Sequence, residues 1–424
     1  MGKVVHLESQ AKDRPAGSRG GAGRRRQRSK SALVLGGGGF TGGVYEIGAL
    51  RAIDLLAVNR TVNDFDVYVG TSAGAFVAAS VANGVTPEEM MRVIVQQTPS
   101  PFPDVGVNSL LTPNYLDFIA KAARMPLVLA RLIRSLARDY RQLSAVDIGI
   151  GLAQALPSGL YTGSGIERYV RTILSDPDRT DDFRLLANEL YIATTDLDTC
   201  ERIVLGAEGW DDVPISTAVR ASTALPMLYK PVKVKERELI DGGVLSTTNL
   251  DIAVEAGAKF ILVVNPLVPY VNDFEQRIPT LTGSRIRRIS DMGFPQIGYQ
   301  TFKLLAYQRL HEMARGWEER YPGVDIVLIE PEPNDELMFE TPIMNYASRV
   351  DIARHGFQSV TFKLAGDYPR FKRICARHGI EISATRVRKV VKHFEAEREK
   401  TRAWRKILEQ TTSTLLRQSA EAQV

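Results

Sequence analysis

The chain is poor in the residues that staple, ligate or anchor a protein. Two cysteines, Cys200 and Cys375, occur in 424 residues. They lie far apart in sequence, so neither a disulfide framework nor a cysteine-based zinc site is available, and a reducing compartment is expected. No apolar run approaches the ~18 residues that a membrane-spanning helix needs. The run "SALVL" is too short for the core of a signal peptide and ends in glycines. The expectation is a cytoplasmic protein, with peripheral attachment to the inner face of a membrane left open. Histidine is scarce too. His6 falls in the head of the chain, and His311, His355, His378 and His393 fall in charged, mostly helical surroundings with no strand leading into them. They read as surface or packing residues. Charge of one sign is also lacking: 54 Lys+Arg stand against 49 Asp+Glu, a net +5. No nucleic-acid partner is expected from that balance.

What is present is enough apolar content, 44%, to bury a large core. Residues 1–30 are the exception. Arg14, Arg19, Arg24, Arg25, Arg26, Arg28 and Lys30 sit among Gly and Ser with few apolar residues, the composition of a disordered basic tail. From Ala32 onward strands and helices alternate. "DFDVYVG", "ELYIATTDL", "RIVLGA" and "KFILVVNPL" read as strands, and Gly43 to Ala57 reads as a helix with Ile47, Leu50, Ile53 and Leu56 near one face. The pattern predicts an α/β fold, a layered and mostly parallel sheet flanked by helices. Three organisational units are expected: the tail at 1–30, a main domain over 31–375 with helical insertions at about 99–160 and 277–322, and a charged helical extension over 376–424.

Three short segments carry the chemistry. "GGGGF" follows the first strand, and Gly37-x-Gly39-x-x-Gly42 fits a dinucleotide fingerprint in the right context. That reading also wants an acidic residue at the end of the second strand. There the chain has "VGTSAGA" instead. Gly70-x-Ser72-x-Gly74 at a strand-to-helix junction is the pattern of a nucleophile elbow, where the flanking glycines permit the sharp turn and Ser72 stands at a helix N-terminus. An acyl-transfer serine needs backbone N–H donors for an oxyanion. The loop of Gly37, Gly38 and Gly39 can supply them. The serine also needs a base. In "ELIDGGVL", Asp241 ends a strand, and Gly242 and Gly243 allow a tight turn that presents its carboxylate.

Glycine loop, Gly-x-Ser-x-Gly and Asp-Gly-Gly, in that order, together with "AVRASTALPMLYKPVKV" and "AGAKFILVV", resemble the patatin-like phospholipases over roughly Ser31 to Pro266. The resemblance implies a Ser–Asp dyad without histidine. Ser72 would be the nucleophile, Asp241 the base, and Gly37–Gly39 the oxyanion hole. It further implies cleavage of acyl esters of glycerophospholipids or related lipids, with no metal and no cofactor. Departures from the family pattern are Thr41, where a basic residue is common, and "VLSTTNLD", which lacks a proline after Asp-Gly-Gly. They bear on substrate choice and turnover more than on fold. The rival reading is a lipid-binding scaffold of the same fold with weak or no turnover. A nucleotide site at the glycine loop is a third.

Lys121 to Leu143, "KAARMPLVLARLIRSLARDYRQL", places Arg131, Arg134, Arg138 and Arg141 at helical spacing opposite Leu129, Leu132, Ile133, Leu136, Tyr140 and Leu143. Such a cationic amphipathic helix suits a membrane interface, and equally a surface helix with its apolar stripe on the core. Pro126 is expected to kink or restart it. A lipid substrate and a peripheral membrane surface are the expected partners. Oligomeric state is not legible.

Overall fold

The computed structural model describes residues 29–96, 111–139, 156–272, 278–279, 285–286, 288–332, 335, 337–338, 341 and 346–396. The basic tail before 29, residues 140–143 of the cationic segment and the charged chain beyond 396 lie outside the described residues.

The first half of the domain alternates as expected: β1 (Ser31–Leu35), α1 (Gly39–Leu56), β2 (Val67–Thr71), α2 (Ala73–Ala82) and α3 (Pro87–Val95). There follow α4 (Tyr115–Asp139), β3 (Gly159–Tyr161), α5 (Ser164–Leu174), β4 (Glu189–Asp196), β5 (Arg202–Leu205) and α6 (Ile215–Ser222). The rest adds β6 (Met227–Tyr229), β7 (Val232–Val234), β8 (Arg237–Asp241), α7 (Asp251–Glu255), β9 (Phe260–Val264), α8 (Phe294–Arg315), β10 (Asp325–Ile329), α9 (Arg349–Gly366) and α10 (Tyr368–Arg377).

The main sheet runs β10-β9-β1-β2-β4-β8-β7, with β5 also paired to β4. From β10 to β4 every pairing is parallel. β4–β8, β7–β8 and β4–β5 are antiparallel. β1 and β2, joined through α1, are parallel neighbours, while β7 and β8 are joined by a two-residue turn with Lys235 at φ 54. The parallel strands β1, β2 and β9 are buried along their whole length, as a sheet covered on both faces requires.

Helix α1 starts at Gly39, four residues earlier than its apolar pattern suggests. Glycine is a weak helix former, so the propensity signal is faint there. Tertiary contact compensates. A Cβ on Gly48 would sit 2.0 Å from the carbonyl of Ala353, and one on Gly356 would sit 2.3 Å from that of Tyr45. Helices α1 and α9 therefore cross with their backbones nearly touching.

Helix α4 begins ahead of the cationic stretch and passes through Pro126 as one element. Its first turns expose Tyr115, Leu116, Phe118 and Ile119. Arg124, Arg131 and Arg134 are exposed on the same helix. Among the described residues, no helix is long and apolar enough to cross a membrane. Residues after α10 fold back on the domain: Ile380, Val387 and Phe394 are buried, and Ile382 bridges to Ala57.

Candidate active site

Thr71 closes β2, and Ser72 caps α2 at φ 55, ψ −125, a strained conformation for a residue with a side chain. The strain follows from how closely the elements approach. A Cβ at Gly70 would lie 2.5 Å from Ala75 Cα, and one at Gly74 would lie 2.4 Å from the carbonyl oxygen of Leu35. Only glycine fits at both places, and the turn lifts Ser72 clear of the sheet.

The Ser72 hydroxyl donates to Asp241 Oδ2 at 2.6 Å, bridging 169 positions of sequence. Asp241 ends β8, and its other oxygen accepts from the Gly243 amide at 2.8 Å, so the turn at Gly242 and Gly243 holds the carboxylate. Ser72 and Asp241 are both buried. Burial pushes the Asp241 carboxyl up to about 6, against the opposing hydrogen bonds from Ser72 and Gly243. A carboxylate so placed is a stronger base than an exposed aspartate.

Two supports were not legible in the sequence. The Ser72 amide donates to Ser222 Oγ at 2.9 Å, and that hydroxyl donates to the Ala193 carbonyl at 2.7 Å. Ser222 thus pins the strained elbow to β4. Asn249, itself at φ 49, donates to Thr71 Oγ1 at 3.0 Å. Both residues lie within or just after the stretches that frame Asp241, but nothing local in their spacing marks a contact across the fold.

The glycine loop comes to the same place. The Gly37 amide donates to the Thr247 carbonyl at 3.1 Å, and Gly36 accepts from the Gly74 amide at 3.1 Å, which ties loop to elbow. The amides of Gly38 and Gly39 have no backbone partner among the described residues, and Gly39 adopts φ 63. Gly37, Gly38, Gly39, Ser72 and Asp241 share the wall of one cavity of about 180 Å3. Its remaining lining is mainly apolar, with Phe76, Met90, Ile94, Tyr169 and Ile173 among it.

Of the five histidines, His6 lies outside the described residues, and the others are engaged elsewhere. His311 contacts Glu330 at 2.9 Å, His378 contacts Asp325 at 2.7 Å, His355 contacts Asp335, and His393 lies beside the Phe394 ring. None lines the cavity. Among the described residues, no group of three or more His, Cys, Asp or Glu is placed to hold a metal ion. One buried acid had no sequence signal: Glu46 on α1 is fully buried, and burial pushes its carboxyl well above the ordinary range, with Gly36 beside it.

A layered α/β domain with a strand–serine–helix elbow, a glycine loop beside it and an Asp-Gly-Gly turn opposite defines a class of hydrolase-like folds. The patatin-like phospholipase family matches residues 33–254, more than half of the chain, and the chain belongs to that family. It is similar to the uncharacterized protein YqhO of Bacillus subtilis, 25% identical over 221 residues that make up 49% of this chain and 64% of YqhO. It is likewise similar to the probable lipid hydrolase 463L of Invertebrate iridescent virus 6, 22% identical over 223 residues, 53% of this chain and 63% of that protein. The chain thus spans less than two thirds of the length of these curated relatives. Among solved structures, VipD from Legionella pneumophila is 14% identical with a TM-score of 0.34, covering 80% of this chain and 67% of VipD.

Proposed function

We propose that the protein is a serine acyl hydrolase that cleaves the acyl esters of glycerophospholipids or related lipids. The observation that carries this reading is the 2.6 Å hydrogen bond from Ser72 Oγ to a buried Asp241 at the wall of an apolar cavity. Family membership supports lipid hydrolysis, and the probable lipid hydrolase among its relatives points the same way.

In this reading Asp241 takes the hydroxyl proton as Ser72 Oγ attacks the ester carbonyl. The tetrahedral oxyanion is held by backbone amides. Because the Gly37 amide is engaged with Thr247, the donors are those of Gly38 and Gly39, helped by the N-terminal end of α2. The alcohol leaves with the proton from Asp241, and an acyl-Ser72 ester remains. Water then attacks that ester as Asp241 takes its proton, the intermediate collapses with return of that proton to Ser72 Oγ, and the fatty acid departs. No histidine takes part.

Helix α4 is the element proposed to meet the lipid surface. It pairs exposed Tyr115, Leu116 and Ile119 with exposed Arg124, Arg131 and Arg134, apolar area to insert and cations to attract anionic head groups. The attachment is peripheral. Fatty acid released from mixed phospholipid vesicles, compared between the native protein and Ser72→Ala, tests the function. Release that depends on Ser72 supports it, and equal release by both proteins refutes it.

A further inference from the structure

Two helices run along the cavity at Ser72. On α2 its lining residues are Ala73, Phe76 and Ser80, and on α5 they are Ile166, Tyr169 and Ile173. Each set steps by three and four residues, one stripe of a helix, and each stripe covers seven residue steps. At 1.5 Å per residue the two stripes run about 10.5 Å. The Phe76 and Tyr169 rings stack at 5.9 Å midway along. Ser80 and Ile173 end the two stripes on the side away from Ala73 and Ile166, and with Met90 and Ile94 of α3 they are buried lining residues. Ser80 is the sole hydroxyl there, and it donates to the Phe76 carbonyl at 2.8 Å. Its polarity is therefore spent inside α2, and the end wall acts as an apolar one.

Resting on Ser72 as the nucleophile, we propose that this cavity is a blind acyl-chain slot for about eight carbons, with Ser80, Met90 and Ile173 setting the length. Contact with the end wall uses about 3.5 Å of the 10.5 Å. Bonds of about 1.5 Å at tetrahedral angles advance a chain by about 1.25 Å per carbon. The remaining distance takes about six carbons beyond the carbonyl and its first neighbour. A longer chain has to fold back toward the mouth. The favoured substrate is a lipid whose scissile acyl chain is of medium length or has been shortened.

The test is the chain-length profile of kcat/KM on p-nitrophenyl esters from acetate to palmitate, all below their micellar concentrations. Activity should climb by roughly two- to fourfold per methylene to octanoate and fall by dodecanoate. Ser80→Leu should lower the octanoate-to-butyrate ratio, and Ile173→Ala should raise the decanoate-to-octanoate ratio. Binding gives a second readout without turnover. On the Ser72→Ala protein, methyl esters displacing an anilinonaphthalene sulfonate dye should gain affinity to eight carbons and then level off. A profile that climbs steadily to palmitate, or variants that leave both ratios unchanged, overturns the slot. If no ester is turned over yet binding levels off at eight carbons, the nucleophile reading fails and the slot stands.

Discussion

Asp241→Asn separates what the buried carboxylate does for catalysis from what it costs the fold. Burial raises its pKa from 3.8 to about 6. A shift of about two units is worth about 3 kcal/mol between the two protonation states. The sign follows from proton binding. The folded protein holds this proton more tightly than the unfolded chain, so rising pH favours unfolding across the window from about 3.8 to about 6, and the penalty is constant above it. Asparagine keeps the shape, stays neutral, and can still accept from Gly243 and meet the Ser72 hydroxyl. The variant should therefore be more stable than the native protein at pH 8, by up to about 3 kcal/mol, and should lose that advantage near pH 4. Its esterase activity should fall on the order of 10²- to 10⁴-fold, the usual worth of a positioned general base. Urea unfolding at pH 4.5 and pH 8, beside esterase assays of the same preparations, reads both quantities. A variant that is less stable at pH 8, or equally displaced at both pH values, refutes the assignment of a desolvated charge. A variant that retains activity refutes the base.

Three further outcomes follow from the supporting contacts. Ser222→Ala removes the acceptor of the Ser72 amide and leaves a buried donor unpaired, a loss of about 1–3 kcal/mol in stability. It should lower kcat by about 10- to 100-fold with little change in KM, because it acts through the position of Ser72. Gly74→Ala forces a Cβ against two backbone carbonyls and should cost about 3 kcal/mol or more, read as an earlier urea midpoint. Reversing Arg124, Arg131 and Arg134 to Glu should weaken sedimentation with anionic vesicles, at roughly 1 kcal/mol per cation, while hydrolysis of a soluble butyrate ester changes little.

How far the sequence revealed this site depended on whether the constraint was local. The elbow and the Asp-Gly-Gly turn are legible because close backbone approach admits few residue types at fixed spacing. Ser31–Leu35 and Phe260–Val264 are legible as strands because buried parallel strands are continuous apolar runs. The strand Asp325–Ile329 is not legible, since it is a five-residue run at the sheet edge with only Val327 and Ile329 buried. Ser222 and Asn249 are illegible for another reason. Their roles exist only once β4, α2 and the segment after β8 are brought together, and a lone serine or asparagine carries no spacing to show it. The engagement of the Gly37 amide by Thr247 is of the same kind: the loop was plain, but which of its amides stay available is a tertiary fact.

Covalent capture by a fluorophosphonate tests the central claim most directly. Incubation followed by intact mass and peptide mapping should show one phosphonyl group on Ser72, none on Ser72→Ala, and much slower capture with Asp241→Asn, since the nucleophile then lacks its base. Labelling at another residue, or equal labelling of the Ser72→Ala protein, would contradict the account.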